Sequence, residues 1–268
     1  MLRSLLIAVF FFTTVPILIA IQWLIGRLGL PGWGLIATRY YGVLSWILGL
    51  RIRVVGEPTR DRAVLYVSNH VSWADILVIG SIAPVAFVAK SEVARWPLVG
   101  PTAKLQRTVF VDRARRHQTG DAVGEMVKRL QEGISVVLFA EGTSNDGNRV
   151  LPFRSSLLGA VKHVAAHGGA GSDILVQPMA ICYTGVHGIP MGRLHRPLAA
   201  WYGDLDFMPH IKAFIACGAV DVTVTYGEPV SADGGTDRKA MTRYLEGTVR
   251  QLAIATLHGK APPAKAAG

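Results

Sequence analysis

Short runs of β-branched residues alternate with helical stretches after Arg51, and this alternation limits the possible folds more than any other feature of the chain. The runs that predict strands span residues 51–55, 63–67, 85–89, 108–111, 134–139, 174–181 and 220–226. The stretches that predict helices span residues 72–80, 119–131, 155–166, 205–216 and 237–257. Such alternation is typical of an α/β domain with a mostly parallel central sheet flanked by helices.

Residues 51–258 are predicted to form a single domain, because they contain no internal repeat and no recognisable linker. The closing segment, residues 259–268, holds two consecutive prolines and several alanines, and we expect it to be a disordered tail. Residues 1–50 are far more apolar than the rest and form a separate N-terminal element.

An apolar run, Leu5–Ile25, dominates this N-terminal element and has no charged residue in its 21 positions. As a helix it would be roughly 30 Å long, about the thickness of the hydrocarbon core of a bilayer. Arg3 and Arg27 lie on either side of it. A cleaved signal peptide is the alternative, but the run is long and no small-x-small cleavage site follows it. The run therefore predicts an uncleaved membrane anchor.

A second apolar stretch, residues 30–50, contains tryptophans and tyrosines around Arg39. Amphipathic aromatic side chains beside a basic residue suit the headgroup layer of a membrane. Pro31 and Gly32 separate the two stretches, so we expect an apolar helical hairpin over residues 1–50 that attaches the chain to a membrane. The alternative is that the second stretch is an ordinary buried helix of the domain.

The net charge of +10 predicts an anionic partner, which could be nucleic acid, acidic lipid or a phosphorylated substrate. Residues 1–56 contribute five arginines and no acid, and they are threaded through apolar sequence, which favours a membrane and argues against nucleic acid. Two cysteines exclude a disulfide scaffold and a Cys-rich zinc module. His163 and His167 have the spacing of a zinc-binding pair but no third ligand nearby, so no metal site is predicted.

A candidate catalytic pair follows the predicted strand 63–67. His70 would lie in the loop after that strand, and Asp75 would lie in the first turn of the next helix. From there the carboxylate could reach back to the imidazole, hold one ring nitrogen protonated and raise the basicity of the other. The alternative is a histidine that caps the helix beside a solvated aspartate. Either arrangement lies at the end of a strand, where open α/β sheets commonly place active sites.

Four short motifs occur in an order and at spacings that resemble those of the glycerolipid acyltransferase family, whose best-known members are the lysophosphatidic acid acyltransferases. They are Asn69-His70 through Asp75, Phe110-Val-Asp-Arg113, Phe139-Ala-Glu-Gly-Thr-Ser144 and Val176-Gln-Pro-Met-Ala-Ile181. The resemblance covers residues 54–229. Two positions depart from the family pattern, since Ala140 replaces a proline and Ser144 replaces an arginine.

The resemblance implies transfer of an acyl group from a thioester to a lipid hydroxyl, with His70 as general base and Asp75 orienting it. It implies no cofactor, because the acyl donor is a cosubstrate. This donor is the acyl thioester of either acyl carrier protein or coenzyme A. It assigns acceptor binding to Glu141, Gly142, Thr143, Arg113 and Lys90. Further candidate contacts to a phosphate or to the donor are Asn69, Lys104, Arg149 and Arg154.

The resemblance makes 1-acylglycerol-3-phosphate, converted to phosphatidate, the first expectation for the acceptor. Ser144 lacks the guanidinium that suits a phosphate, so a lyso-ornithine lipid, whose headgroup is an amino acid, is the alternative. A non-catalytic lipid-binding protein and a hydrolase on the same scaffold are more distant alternatives. The thioester donors are made in the cytoplasm, so we expect the domain to face the cytoplasm from the inner membrane of a bacterium.

Overall fold

Strands and helices alternate along the chain as the sequence predicts. The computed structural model describes residues 2–30, 32–111, 118–156, 174–232 and 237–260. In chain order the elements are α1 (Leu2–Arg27), α2 (Trp33–Leu48), β1 (Leu50–Val55), β2 (Val64–Ser68), α3 (Ala74–Ile82), β3 (Val85–Lys90), a 3₁₀ turn (Ser91–Arg95), α4 (Val99–Leu105), β4 (Val109–Val111), α5 (Gln118–Gln131), β5 (Ser135–Phe139), β6 (Ile174–Val186), β7 (Ile189–Pro190), a second 3₁₀ turn (Arg196–Leu198), α6 (Phe207–Ala216), β8 (Val220–Tyr226), β9 (Val230–Ala232) and α7 (Arg238–Leu257).

One sheet forms the centre of the domain, with the strand order β1-β8-β6-β2-β5-β3-β4. Strands β6, β2, β5, β3 and β4 are parallel to one another, whereas β8 is antiparallel to β6 and parallel to β1. Two short strands, β7 and β9, also pair with β6 in antiparallel fashion. The mostly parallel α/β sheet predicted from the sequence is confirmed.

Helices cover both faces of this sheet, which is why β2 is buried at every position. On one face, α5 and α7 bury Met126, Leu245 and Val249 against the strands. On the other face, α3 and α6 bury Ile79 and Phe214. The two hydrophobic layers hold the strands rigidly, so loops at the ends of those strands start from fixed positions.

Several elements differ from the sequence-based boundaries. The strand predicted to end at residue 181 continues through a bulge to Val186, because its partner β8 pairs with it over that length. The helix α4 was not predicted, since a seven-residue segment that contains glycine and proline shows no hydrophobic period. The predicted helix 155–166 and the predicted tail 259–268 lie largely outside the described residues, as do Asp112 and Arg113.

The helix α1 remains mostly outside the core of the domain. Within Arg3–Arg27, an 18-residue stretch has a mean hydropathy of 2.6 and only 6% of that stretch is buried, so the helix is long and apolar enough to cross a membrane. Its first turn is docked, because the Arg3 guanidinium donates to the carbonyl oxygens of Ile215 at 3.0 Å and Gly218 at 2.9 Å. The N-terminal end of the apolar helix is thus joined to the α/β domain.

The helix α2 belongs to both regions. It pairs with α1 through a 2.8 Å hydrogen bond between the Thr14 and Tyr40 hydroxyls. It also packs on α3, where the Tyr41 ring lies so close to Gly80 that a Cβ atom there would be 2.4 Å away. Leu48 is buried while Trp46 is 79% exposed. The two helices of the predicted hairpin are therefore paired, and the second also fills part of the domain core.

Candidate active site

The loops that follow β2 and β5 meet at one edge of the sheet. These two strands are parallel neighbours, with Ser68 opposite Phe139 in the register. The pairing continues beyond the strands, because the Ala140 N–H donates to the Ser68 carbonyl at 3.0 Å and the Asn145 N–H donates to the His70 carbonyl at 3.0 Å. Parallel pairing therefore brings the His70 loop and the Glu141 loop together at the carboxyl ends of the strands.

His70 and Asp75 form the hydrogen-bonded pair that the sequence suggested, with 2.8 Å between Nδ1 and Oδ2. Asp75 lies in the first turn of α3 and its side chain is fully buried. Its Oδ2 atom also accepts from the backbone N–H groups of Val71 at 2.8 Å and Ser72 at 3.1 Å. An ionised carboxylate can only accept hydrogen bonds, so the proton of neutral His70 lies on Nδ1 and points at Asp75. The Nε2 atom then carries no proton and is free to act as a base.

Tyr183 completes the environment of this carboxylate, since its hydroxyl donates to Asp75 Oδ1 at 2.8 Å. Burial and the nearby Asp75 charge hold the pKa of Tyr183 well above its ordinary value, so the phenol stays protonated and remains a donor. Tyr183 was missed in the sequence analysis because it lies in the part of β6 beyond residue 181. A longer strand prediction would have included Tyr183, but its contact with Asp75 depends on the pairing of β6 with β2, which no local pattern shows.

The imidazole ring of His70 stacks on the ring of Phe139, with centroids 4.0 Å apart and an angle of 18° between the planes. The His70 side chain is 22% exposed, whereas Asp75 beneath it has no exposed surface. Stacking and the Asp75 hydrogen bond together fix the orientation of the ring. This arrangement can accept a proton from a substrate hydroxyl without first reordering the base.

Glu141 lies beneath the surface. Its carboxylate accepts from the Asn145 side-chain amide at 2.6 Å and from the Leu151 N–H at 3.3 Å. Burial raises the pKa of Glu141 to about 8, although hydrogen bonds from Asn145, Leu151 and the His70 backbone oppose the rise. Glu141, which the resemblance assigns to acceptor binding, thus holds together the loop over residues 141–151, and this loop lies beside the His70 loop.

The turn after Glu141 uses the other residues of that motif. Gly142 has a φ of +73°, which glycine adopts without strain, and its N–H donates to the Phe139 carbonyl at 3.0 Å. Thr143 is exposed. The Ser144 hydroxyl donates to the Trp201 carbonyl. Ser144 therefore connects this loop to the segment before α6.

Asn69 has a bridging position that differs from the expected contact with phosphate or donor. Its side chain exchanges two 2.9 Å hydrogen bonds with the backbone of Ile181, one to the carbonyl and one from the N–H. It is 3% exposed. Asn69 thus joins the end of β2 to β6 and so supports the strand that carries Tyr183.

The basic candidates lie at the surface. Lys90 is the exposed last residue of β3, which is parallel to β5, so it lies at the same edge of the sheet as Glu141. Lys104 is exposed in the last turn of α4. Arg149 and Arg154 are exposed on the loop after Glu141. Arg113 lies outside the described residues.

Within the described ranges, no group of three His, Cys, Asp or Glu side chains is arranged to hold a metal ion. His163 and His167 are outside those ranges.

Comparison with known proteins assigns the family. Residues 51–182, which include His70, Asp75 and Glu141, match the family model described as Acyltransferase. The chain is 48% identical over 224 residues to the lyso-ornithine lipid O-acyltransferase of Brucella abortus strain 2308, with 84% of each chain covered. The chain belongs to the acyltransferase family. The predicted family and enzyme class are therefore confirmed.

Two further comparisons describe this acyltransferase. It is 46% identical over 221 residues to the lyso-ornithine lipid O-acyltransferase of Rhizobium meliloti strain 1021, covering 82% of this chain and 75% of the relative. Its fold is similar to the crystal structure of the 1-acyl-sn-glycerophosphate (LPA) acyltransferase from Thermotoga maritima. The TM-score is 0.64, the identity is 22%, and 95% of this chain and 96% of the other are covered. That likeness supports the fold of the whole acyltransferase, including its N-terminal helices.

Proposed function

We propose that this acyltransferase moves a fatty acyl group from an acyl thioester to the free hydroxyl of a lyso-ornithine lipid. The observation that carries the chemistry is the His70 ring, held by Asp75 and stacked on Phe139 at the edge of the sheet. Relatives at 48% and 46% identity are lyso-ornithine lipid O-acyltransferases, whereas the LPA acyltransferase of similar fold is 22% identical. The alternative acceptor named in the sequence analysis is therefore favoured over lysophosphatidate.

The position of Ser144 supports the same acceptor. The family pattern has an arginine at this position, whose guanidinium suits a phosphate. Here the side chain is a neutral hydroxyl that donates to the Trp201 carbonyl. It therefore supplies no positive charge for a phosphate monoester.

In the proposed reaction, His70 Nε2 removes the proton of the acceptor hydroxyl while that oxygen attacks the thioester carbonyl carbon. The tetrahedral intermediate then collapses, the carbon–sulfur bond breaks and the thiolate takes the proton from His70. The products are the acylated lipid and the free thiol of the carrier. A positioned base of this kind contributes about 10²–10⁴-fold to the rate. Asp75 stabilises the imidazolium that forms transiently.

The reaction needs no cofactor, because the thioester is already activated. Coenzyme A and acyl carrier protein are both polyanions, so the donor is expected to dock on a basic surface. Lys90, Arg95 and Lys104 are exposed around the 3₁₀ turn and α4. Arg107 is less available, because it forms a 3.2 Å ion pair with Glu132.

The enzyme is associated with membranes through its apolar N-terminal helix, and we place its domain on the cytoplasmic face of a bacterial inner membrane. Arg3 and Arg27 at the ends of α1 suit an anionic surface. The cytoplasmic orientation is inferred from the site where thioester donors are made.

The decisive experiment offers the purified enzyme a lyso-ornithine lipid and lysophosphatidate side by side with one acyl donor. We expect at least tenfold higher kcat/KM for the lyso-ornithine lipid, which is about 1.4 kcal/mol in transition-state binding. A preference of the same size for lysophosphatidate would reverse the assignment of the acceptor. The His70→Ala variant serves as the control for background transfer.

A further inference from the structure

Arg196 is a cation beside the active-site loops that the sequence motifs do not include. It begins the 3₁₀ turn Arg196–Leu198, in the segment that connects β7 with α6. This segment contacts the His70 loop directly, because the Trp201 N–H donates to the Val71 carbonyl at 3.0 Å. A Cβ atom placed on Gly147 would lie 3.2 Å from Val71 Cγ1 and 3.8 Å from Arg196 Cβ. Gly147 therefore lies between Arg196 and Val71, the residue that follows His70.

The guanidinium of Arg196 is held in place but only partly satisfied. Its Nη1 atom donates to the Asn148 side-chain oxygen at 3.0 Å. Its Nε atom is buried and has no hydrogen-bond partner. Within the described residues no carboxylate lies within salt-bridge distance of it. Arg196 is half-buried and permanently charged, and its guanidinium is costly to leave without an anionic partner. An anion beside the accessible part of the guanidinium would therefore be bound favourably.

Asn148 is itself fixed, and so it presents the guanidinium in a defined orientation. Its N–H donates to Asp146 Oδ1 at 3.1 Å, and its side-chain amide donates to Asp146 Oδ2 at 3.2 Å and to the Arg193 carbonyl at 3.1 Å. These bonds leave the Asn148 oxygen directed at Arg196. Preorganised charge of this kind binds a planar anion with little loss of side-chain entropy.

The positive charge of Arg196 also acts on a buried thiol of β6. It opposes the rise that burial causes in the pKa of the Cys182 thiol. Cys182 lies in the hydrophobic layer under α7, on the opposite face of β6 from Tyr183. This effect therefore places the Arg196 charge near β6 and does not place it at Asp75.

We infer that Arg196 binds the anionic group of the acceptor headgroup and supplies the positive charge that Ser144 lacks. The Ser144 hydroxyl binds the carbonyl of Trp201, five residues after Arg196, so the loop that carries Ser144 contacts the segment that carries Arg196. In a lyso-ornithine lipid the anion is the amino-acid carboxylate, and in lysophosphatidate it is the phosphate. The assignment of the carboxylate as the bound anion rests on the proposed function. The assignment of Arg196 as the residue that binds an anion does not.

The test compares charged and neutral acceptors in the purified full-length enzyme. The variants are Arg196→Gln and, as a matched control, Arg193→Gln, whose side chain is exposed three residues earlier. The acceptors are a lyso-ornithine lipid and its carboxamide analogue, which lacks the negative charge. We expect Arg196→Gln to lower kcat/KM at least tenfold for the carboxylate, mainly through KM, and less than threefold for the carboxamide. Arg193→Gln should change neither by more than about twofold.

Equal losses on both acceptors would overturn the inference and leave Arg196 as a residue that only holds the loop. Arg196→Lys, which keeps the charge but not the planar fork, should recover part of the preference for the carboxylate if binding is ionic. If the wild-type enzyme uses lysophosphatidate instead, the proposed acceptor fails, and Arg196→Gln is then assayed with lysophosphatidate against uncharged monoacylglycerol. If Arg196→Gln no longer prefers lysophosphatidate over monoacylglycerol, the role of Arg196 in anion binding is supported. If the variant keeps the wild-type preference, that role is rejected.

Discussion

The Tyr183 hydroxyl and the Asp75 carboxylate form a 2.8 Å hydrogen bond that connects β6 to the first turn of α3. The same carboxylate binds His70 Nδ1 at 2.8 Å through its other oxygen. The buried acid is thus held both by its own strand-to-helix turn and by Tyr183, which is 108 residues further along the chain. Orientation of His70 depends on the β2–β6 pairing as well as on the short His70–Asp75 motif.

Substitution of His70 or Asp75, the pair proposed to be catalytic, is expected to stop acyl transfer. His70→Ala should retain less than a few per cent of the wild-type rate, because the described part of the chain holds no other base at that position. Asp75→Asn should be severely impaired, since an amide donor favours the other imidazole tautomer. Rates are measured with purified enzyme, an acyl thioester and a lysolipid, and circular dichroism checks the fold. A His70→Ala enzyme with near-normal turnover would refute the catalytic assignment.

Tyr183→Phe is expected to lower kcat by roughly 10- to 100-fold, in line with about 1.5–3 kcal/mol for a hydrogen bond to a charged group. KM for the acceptor should change little, because the phenol is buried beneath Asp75 and does not face the substrate. Steady-state kinetics at saturating donor separate the two parameters. As a control, Tyr244→Phe alters an exposed tyrosine on α7 and should be silent.

Glu141 is expected to make stability depend on pH. Burial raises its folded-state pKa from 4.5 to about 8, so the folded state favours the protonated acid. This contribution is fully present below the unfolded pKa and is lost as the pH rises through 8. Between pH 5 and pH 8, Tm of the wild-type enzyme should therefore fall more than Tm of Glu141→Gln. Parallel pH dependence of the two proteins in thermal unfolding would contradict the buried-acid assignment.

Attachment to membranes is expected to survive high salt and alkaline carbonate. The reason is that α1 exposes a long apolar surface, and its burial in a bilayer does not depend on charge. Fractionated cells are assayed by immunoblot for the wild-type chain and for a variant that lacks residues 2–27. We expect the wild-type chain in the pellet after both washes. Its release into the soluble fraction by carbonate would exclude an integral anchor.

Turnover at subsaturating donor is expected to fall as ionic strength rises from low to physiological values, because screening weakens long-range attraction. The double variant Lys90→Gln/Lys104→Gln should be slower at low salt and less sensitive to added salt. Lys239→Gln, an exposed lysine at the start of α7, is the matched control and should behave as wild type. If the wild-type rate does not change with salt, the donor docks on a surface other than that of Lys90 and Lys104.

Local sequence patterns were sufficient for the elements and for part of the site. Short β-branched runs, the helical stretches between them and the long apolar run are all local features of the chain, so α3, β2, β5 and the apolar α1 could be predicted from them. The His70–Asp75 pair could be predicted for the same reason, since both residues lie within one strand-to-helix turn. The resemblance to acyltransferases added the role of the pair and not its geometry.

Only the tertiary structure decided which distant residues surround that pair. The position of β6 beside β2 brings Tyr183 to Asp75 and lets Asn69 bridge to Ile181, and no local pattern encodes strand order. Arg196 is brought beside the His70 loop by the path of the chain after β7, although nothing in its immediate sequence marks it. Long-range pairing depends on the combined packing of both faces of the sheet, whereas short motifs record only the residues within one turn of the chain.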